Sequence, residues 1–136
     1  MTAPGKHVPQ GAGQHVTAGP YSPVLEVRGG FVVISGQAAI RHDGSIVSTD
    51  FTEQAIATLR NCEMQLATAG CTLADVFKTN VYLADLANWA AFNTVYEEFV
   101  PVPRPVRTTV GAALLPGLLV EVEMWATVPA PDATTA

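Results

Sequence analysis

Charge of either sign is scarce: 14% of the 136 residues are Asp, Glu, Lys or Arg, and the basic ones are scattered. Seven Lys and Arg against twelve Asp and Glu leave a formal net charge of −5. Affinity for nucleic acid comes largely from neutralised phosphates, so no nucleic-acid partner is expected. Long apolar runs are missing too. None approaches the ~20 residues that span a bilayer, so no membrane partner is expected. The stretch Met1 to Gly13 holds no apolar core of the secretory kind, and a cytoplasmic location is expected. Cys62 and Cys71 form no metal or redox motif, and are read as buried free thiols. His7, His15 and His42 lie far apart without ligand spacing, so no metal is expected, and 136 residues leave no room for a separate cofactor-binding unit. No Ser-His or Cys-His pair is legible, and no glycine-rich phosphate loop is present.

Apolar residues are abundant by contrast, at 49%. So short a chain folds as one domain, here 1–136 with an ordered part of about 17–128. A small monomer does not need that much apolar surface, so part of it is expected to meet another copy. The ends, Thr2 to Gly19 and Pro129 to Ala136, are rich in Gly, Pro and small polar residues and read as loose.

Between the ends, strand and helix signals alternate. Val24 to Arg28 and Phe31 to Ser35 flank Gly29-Gly30, which predicts a hairpin. Gly36-Gln37 predicts a strand end or bulge, and Asp43-Gly44 a further turn. Asp50 caps a predicted helix, with Glu53 placed as in a capping box and Ala55, Leu59, Cys62 and Leu66 on one face. Gly70 is its left-handed stop. Val76 to Leu83 reads as a strand with Phe77, Thr79, Val81 and Leu83 on one side. Asp85 caps a second helix whose buried stripe is Trp89, Phe92, Tyr96 and Phe99. Pro101, Pro103 and Pro105 then hold the chain extended. Thr108 to Ala112 and Leu118 to Val128 are the closing strands, joined through Pro116-Gly117. The order is ββ(β)αβαββ, an α/β (α+β) domain with two helices covering one side of one sheet. On the last strand Val120, Val122, Met124 and Ala126 suit the covered side. Leu119, Glu121, Glu123, Trp125 and Thr127 share the other, an odd set for open solvent and better suited to an intersubunit surface.

A series of short motifs along the chain resembles the elements of one known family. Gly19-Pro20-Tyr21-Ser22 and Ser35-Gly36-Gln37 resemble two of its elements. Asp50-Phe51 with Gln54, Thr58-Leu59 and Asn61 resembles its first helix, and Ala69-Gly70-Cys71, Asp75-Val76 and Lys78 the passage that follows. Phe92-Asn93, Tyr96 and Phe99 match the second helix. Pro105-Val106-Arg107-Thr108-Thr109-Val110, Leu115-Pro116 and Val120-Glu121-Val122-Glu123 resemble the C-terminal signature. The match runs in order from about Gly19 to Thr127, and on it the chain resembles the Rid (reactive intermediate deaminase, YjgF) family. It implies a chorismate-mutase-like fold, a homotrimer with sites between subunits, and cofactor-free hydrolysis of 2-aminoacrylate and related 2-imino acids to a keto acid and ammonia.

The candidate site follows from the residues and the resemblance together. Arg107 is the expected carboxylate binder, since a planar guanidinium grips a carboxylate through two parallel hydrogen bonds. Glu121 is the expected general acid/base that positions water, with Glu123 on the same strand face as the alternative. It would adjoin Arg107 if the intervening loop were a hairpin. Thr109 stands where many members have cysteine, and is expected to contact substrate through its backbone. Tyr21 is expected at the cleft mouth, Ser35 at a strand end within reach of ligand, and Asn93 as a helical support. The rival readings are a non-catalytic carboxylate-binding protein of this fold and an RNA-directed activity.

Overall fold

Helices α1 (Phe51–Ala67) and α2 (Trp89–Phe99) each carry the chain between two parallel strands, and this decides where the site residues fall. The computed structural model describes residues 6–17, 21–27 and 29–129. Gly19, Pro20 and Arg28, named above in the first motif and the first strand, lie outside them. The strands are β1 (Lys6–His7), β2 (Val24–Val27), β3 (Phe31–Gln37), β4 (Val76–Leu83), β5 (Val106–Gly111) and β6 (Val120–Thr127). They form one sheet in the order β1-β2-β3-β6-β4-β5. Neighbours are antiparallel except β4 and β5, which run parallel as the α2 crossover requires. The mixed α/β architecture, with helices on one face, is as expected.

Several local expectations hold for the expected reasons. Gly29 takes φ 71° at the β2–β3 turn. The Asp50 carboxylate accepts the Glu53 N–H at 2.9 Å and caps α1, while the Ser48 hydroxyl, rather than Glu53, accepts the Asp50 N–H. Gly70 takes φ 77° behind α1, and the Cys71 N–H returns to the Leu66 carbonyl. Cys62 and Cys71 are buried and unbridged, and burial holds the Cys71 thiol up at about 11.

The core is the layer between the sheet and α1 with α2. Val120, Val122, Met124 and Ala126 of β6 are wholly inaccessible, against Leu59, Cys62 and Leu66 of α1 and Phe92 of α2. Gln54 is buried as well, and each of its polar atoms is matched. Its amide donates to the Ser48 and Gly117 carbonyls at 2.8 and 2.9 Å and its oxygen accepts the Leu119 N–H at 2.9 Å. Such a satisfied buried amide ties α1 to the loop that delivers β6.

Four readings need correction. The β5–β6 connection is not a hairpin: β6 lies between β3 and β4, so Glu121 does not adjoin Arg107. Trp89 is 48% exposed and leaves the buried stripe to Phe92 and Tyr96, because Asp85 caps a 3-10 turn, Leu86–Asn88, and Trp89 opens α2 at its edge. Phe77 is 40% exposed, since a register shift between Val76 and Lys78 breaks the alternation and turns its ring edge-on to Phe31. The bracketed third strand before α1 is only an isolated bridge, Ile40 to Ile46; the additional strand is β1, paired with β2.

Candidate functional site

Cross-strand register divides the predicted residues into two groups. Thr79, Val81 and Leu83 of β4 are buried, and Thr79 meets the Tyr96 hydroxyl of α2 at 3.1 Å, so they face the helices. Arg107 is in register with Thr79 and Thr109 with Val81, which puts both on the helix side at the sheet edge. Glu121 is in register with Tyr82 and Glu123 with Asn80, on the opposite, open face. Two strand spacings and three residue steps separate Arg107 from Glu121, about 14 Å between Cα atoms, with the sheet between their side chains. One chain does not bring them together.

The first group is an arginine cluster. The Arg107 guanidinium carbon lies 4.8 Å from the ring centre of Tyr96, 5.0 Å from that of Phe92 and 5.1 Å from that of Trp89. Its Nε donates to the Thr109 hydroxyl and its Nη2 to the Asn93 side-chain oxygen, each at 2.7 Å. Burial pulls its pKa below the ordinary arginine value, against the stabilising Tyr96. No carboxylate among the described residues lies within ion-pair reach of it. A half-buried cation with aromatic walls and no anion is incomplete, because desolvation of a charge is normally offset by a partner. Asn93 thus ties α2 to the Arg107 guanidinium. Trp89 was missed because spacing at i, i+3 and i+7 fits a core stripe and an arginine platform equally. The usable signal was Asn93, four residues on from Trp89.

The second group surrounds Glu121. A register irregularity in β3 between Ile34 and Gln37 places Gly36 beneath this side chain. A Cβ on Gly36 would stand 2.6 Å from Glu121 Oε2, so glycine there makes room for the carboxylate. Glu121 and Tyr21 line a cavity of about 650 Å³, together with Gln37, Asn61 and Leu118. Tyr21 is exposed at its rim. The Ser35 hydroxyl donates to the Ser22 carbonyl, which gives it a structural task at the β3 end.

The two glutamates differ in their commitments. Glu123 Oε1 accepts from the Tyr82 hydroxyl and from Asn80 Nδ2, the latter at 3.2 Å. That hydrogen bond is the main reason the Tyr82 phenol is pushed up to about 12, with burial and both glutamate charges adding. Glu121 accepts no side-chain hydrogen bond among the described residues. Burial, and after it the charge of Glu123, raises its pKa above the ordinary carboxylate value. Of the pair, Glu121 is the carboxyl left free to take or give a proton. Among the described residues no three His, Cys, Asp or Glu side chains gather in a way that would hold a metal ion. No helix among them is long and apolar enough to cross a membrane.

The endoribonuclease L-PSP family model matches residues 13–128, which covers both groups and the whole sheet from β2 onward. The chain belongs to this family, the Rid/YjgF proteins. It is 38% identical to the mitochondrial protein mmf2 of Schizosaccharomyces pombe over 109 residues, 80% of this chain and 85% of that protein. It is 34% identical over 111 residues to the chloroplastic Reactive Intermediate Deaminase A of Arabidopsis thaliana, 80% of this chain and 59% of the relative. The structure of Escherichia coli TdcF with bound serine superposes with a TM-score of 0.75 at 29% identity, over 84% of this chain and 92% of that one. Two of these names carry an organelle, which the expected cytoplasmic location does not share.

Proposed function

We infer that this Rid-family protein is a cofactor-independent enamine/imine deaminase whose site is completed between copies of the chain, in a homotrimer. The observation that carries the reading is Arg107, a half-buried cation on three aromatic rings with no carboxylate of the described residues within ion-pair reach. A substrate carboxylate supplies the missing anion. Serine bound to TdcF has the same carboxylate head, and the name of the Arabidopsis relative states a deaminase. The open sheet face exposes Phe31, Val106 and Val110 beside its carboxylates, an apolar surface that a second copy would cover.

The chemistry asks little of the protein. A 2-imino acid sets its carboxylate on Arg107 of one copy, and backbone groups at Thr109 hold the imine nitrogen. Glu121 of the neighbouring copy orients a water and takes its proton as the oxygen bonds to the C=N carbon. Glu121 returns that proton to the nitrogen, and the resulting carbinolamine passes its hydroxyl proton to the nitrogen as it expels ammonia, leaving the 2-keto acid. Such imines hydrolyse unaided, so orientation and one proton relay suffice.

The test is the decay of 2-aminoacrylate, generated in situ by a serine or threonine dehydratase with semicarbazide competing for the imine. Wild type accelerates keto-acid release, and Arg107→Ala lowers kcat/KM roughly a hundredfold, the scale of a lost charged hydrogen-bond pair. Wild type equal to the protein-free control across several imino acids would replace this reading with a non-catalytic carboxylate binder. The endoribonuclease in the family's description is examined by salt-dependent RNA binding, and the −5 charge predicts none at physiological salt.

A further inference from the structure

The hydrogen bonds around Arg107 decide which edge of the guanidinium a ligand meets. Arginine carries five N–H donors: one on Nε and two on each of Nη1 and Nη2. Here Nε is engaged by the Thr109 hydroxyl and Nη2 by Asn93, at 2.7 Å each, and the rings of Trp89, Phe92 and Tyr96 lie around the group. Nη2 retains one hydrogen and Nη1 two. Nε and Nη2 together form the side edge of the plane, and both already give a hydrogen to the protein.

We propose that Thr109 is a positioning residue: its side-chain hydroxyl, with Asn93, holds the side edge of Arg107 and leaves the Nη1–Nη2 end as the face that receives a substrate carboxylate. This rests on the reading of Arg107 as a carboxylate site and adds to it the docking geometry and a role for a side chain, where the family resemblance gives this position only a backbone role. Three features make the assignment specific. Thr109 and Arg107 are two residues apart on one strand and so share a face, which brings the hydroxyl under Nε without bending the chain. Asn93 reaches the same group from α2, so the two anchors come from different elements and fix its rotation as well as its place. The threonine oxygen, unlike a thiol, is a strong acceptor for a cationic donor at this distance.

Without the hydroxyl, Nε–H would lack its acceptor and the guanidinium would be free to swing, offering ligands its side edge in competition with its end. Isosteric Thr109→Val isolates this, because it keeps β-branching and shape while removing only the oxygen. The readout is calorimetric binding of pyruvate, the keto-acid product expected from 2-aminoacrylate, with the imine assay run alongside. Thr109→Val weakens pyruvate binding and raises KM about tenfold with kcat changed far less, since a charged hydrogen bond is lost from ground and transition state alike. Thr109→Ser restores most of the binding, which excludes a general packing defect. In an Arg107→Ala background, Thr109→Val has no further effect, as coupling through Arg107 demands.

The inference is overturned if wild type binds pyruvate and Thr109→Val binds it equally well. It is overturned equally if Thr109→Ser is as weak as Thr109→Val, or if the valine effect persists without Arg107. Failure of wild type to bind pyruvate or turn over imines would strike instead at the carboxylate-site reading beneath it, so the two failures are told apart.

Discussion

The arginine cluster and the glutamate cleft belong to one sheet, yet they are built in opposite ways. Around Arg107 every group is fixed: three rings, one hydroxyl and one amide leave the cation little freedom and no anion. Around Glu121 there is a cavity, a glycine floor and a carboxyl without side-chain partners among the described residues. The first arrangement suits holding a charge in place. The second suits a group that must exchange a proton and share its space with water. Because the sheet lies between them, the proposed deaminase site requires each chain to supply two different halves.

The strongest way to break that view is complementation. Arg107→Ala and Glu121→Gln are each expected to be nearly inactive alone. When the two are unfolded together and refolded as mixed oligomers, sites pairing an intact Arg107 with an intact Glu121 reappear. Random assortment restores about a quarter of wild-type activity if the halves come from different copies of a closed ring. No recovery, in mixtures shown by mass spectrometry to contain both subunits, would mean that one chain supplies both groups and that the two-half reading is wrong.

A smaller effect sharpens the glutamate side. Gly36→Ala places a methyl where the Glu121 carboxyl now lies, 2.6 Å from Oε2 and 2.9 Å from Cδ. These atoms end a flexible side chain, so the fold yields at little cost while the carboxyl moves. The expected outcome is a thermal midpoint near wild type with kcat lowered roughly tenfold, the penalty of a misplaced acid/base group. A variant with full activity would mean that the carboxyl's present position is not the working one.

What the sequence revealed follows the range of the forces involved. Asp50, Gly29 and Gly70 act on neighbours a few residues away, and their turns and caps were legible. The polar/apolar alternation of β6 was legible too, because period two is a property of one strand. The position of β6 between β3 and β4 was not, since Pro116-Gly117 fits a hairpin as well as a crossing. That choice is made by the wholly buried row Val120, Val122, Met124 and Ala126, which occupies the sheet centre under α1. Arg107 and Glu121 were legible as candidate site residues, but their placement on adjoining strands was wrong. Asn80 and Tyr82, the partners of Glu123, stood in the sequence as the polar side of β4, but only register tied them to one glutamate rather than the other.

The smallest predicted effect measures what stands opposite Glu121. Its pKa is raised in the folded chain, first by burial and then by Glu123, so folding disfavours its charged form. Below the ordinary carboxylate pKa the group is protonated folded and unfolded, and contributes nothing. As pH rises, the unfolded chain ionises first and stability is lost until the raised folded value is passed, after which the loss is constant. Glu121→Gln removes the loss, so its midpoint exceeds that of wild type by a few degrees at most at pH 7 and converges with it near pH 4. An Arg107 from the next copy in direct contact with Glu121 would reverse the sign, because an ion pair lowers the carboxyl pKa and its removal destabilises. A stabilised glutamine variant therefore means that the two halves stand apart by the space of a substrate. A destabilised one means that they close on each other when the site is empty.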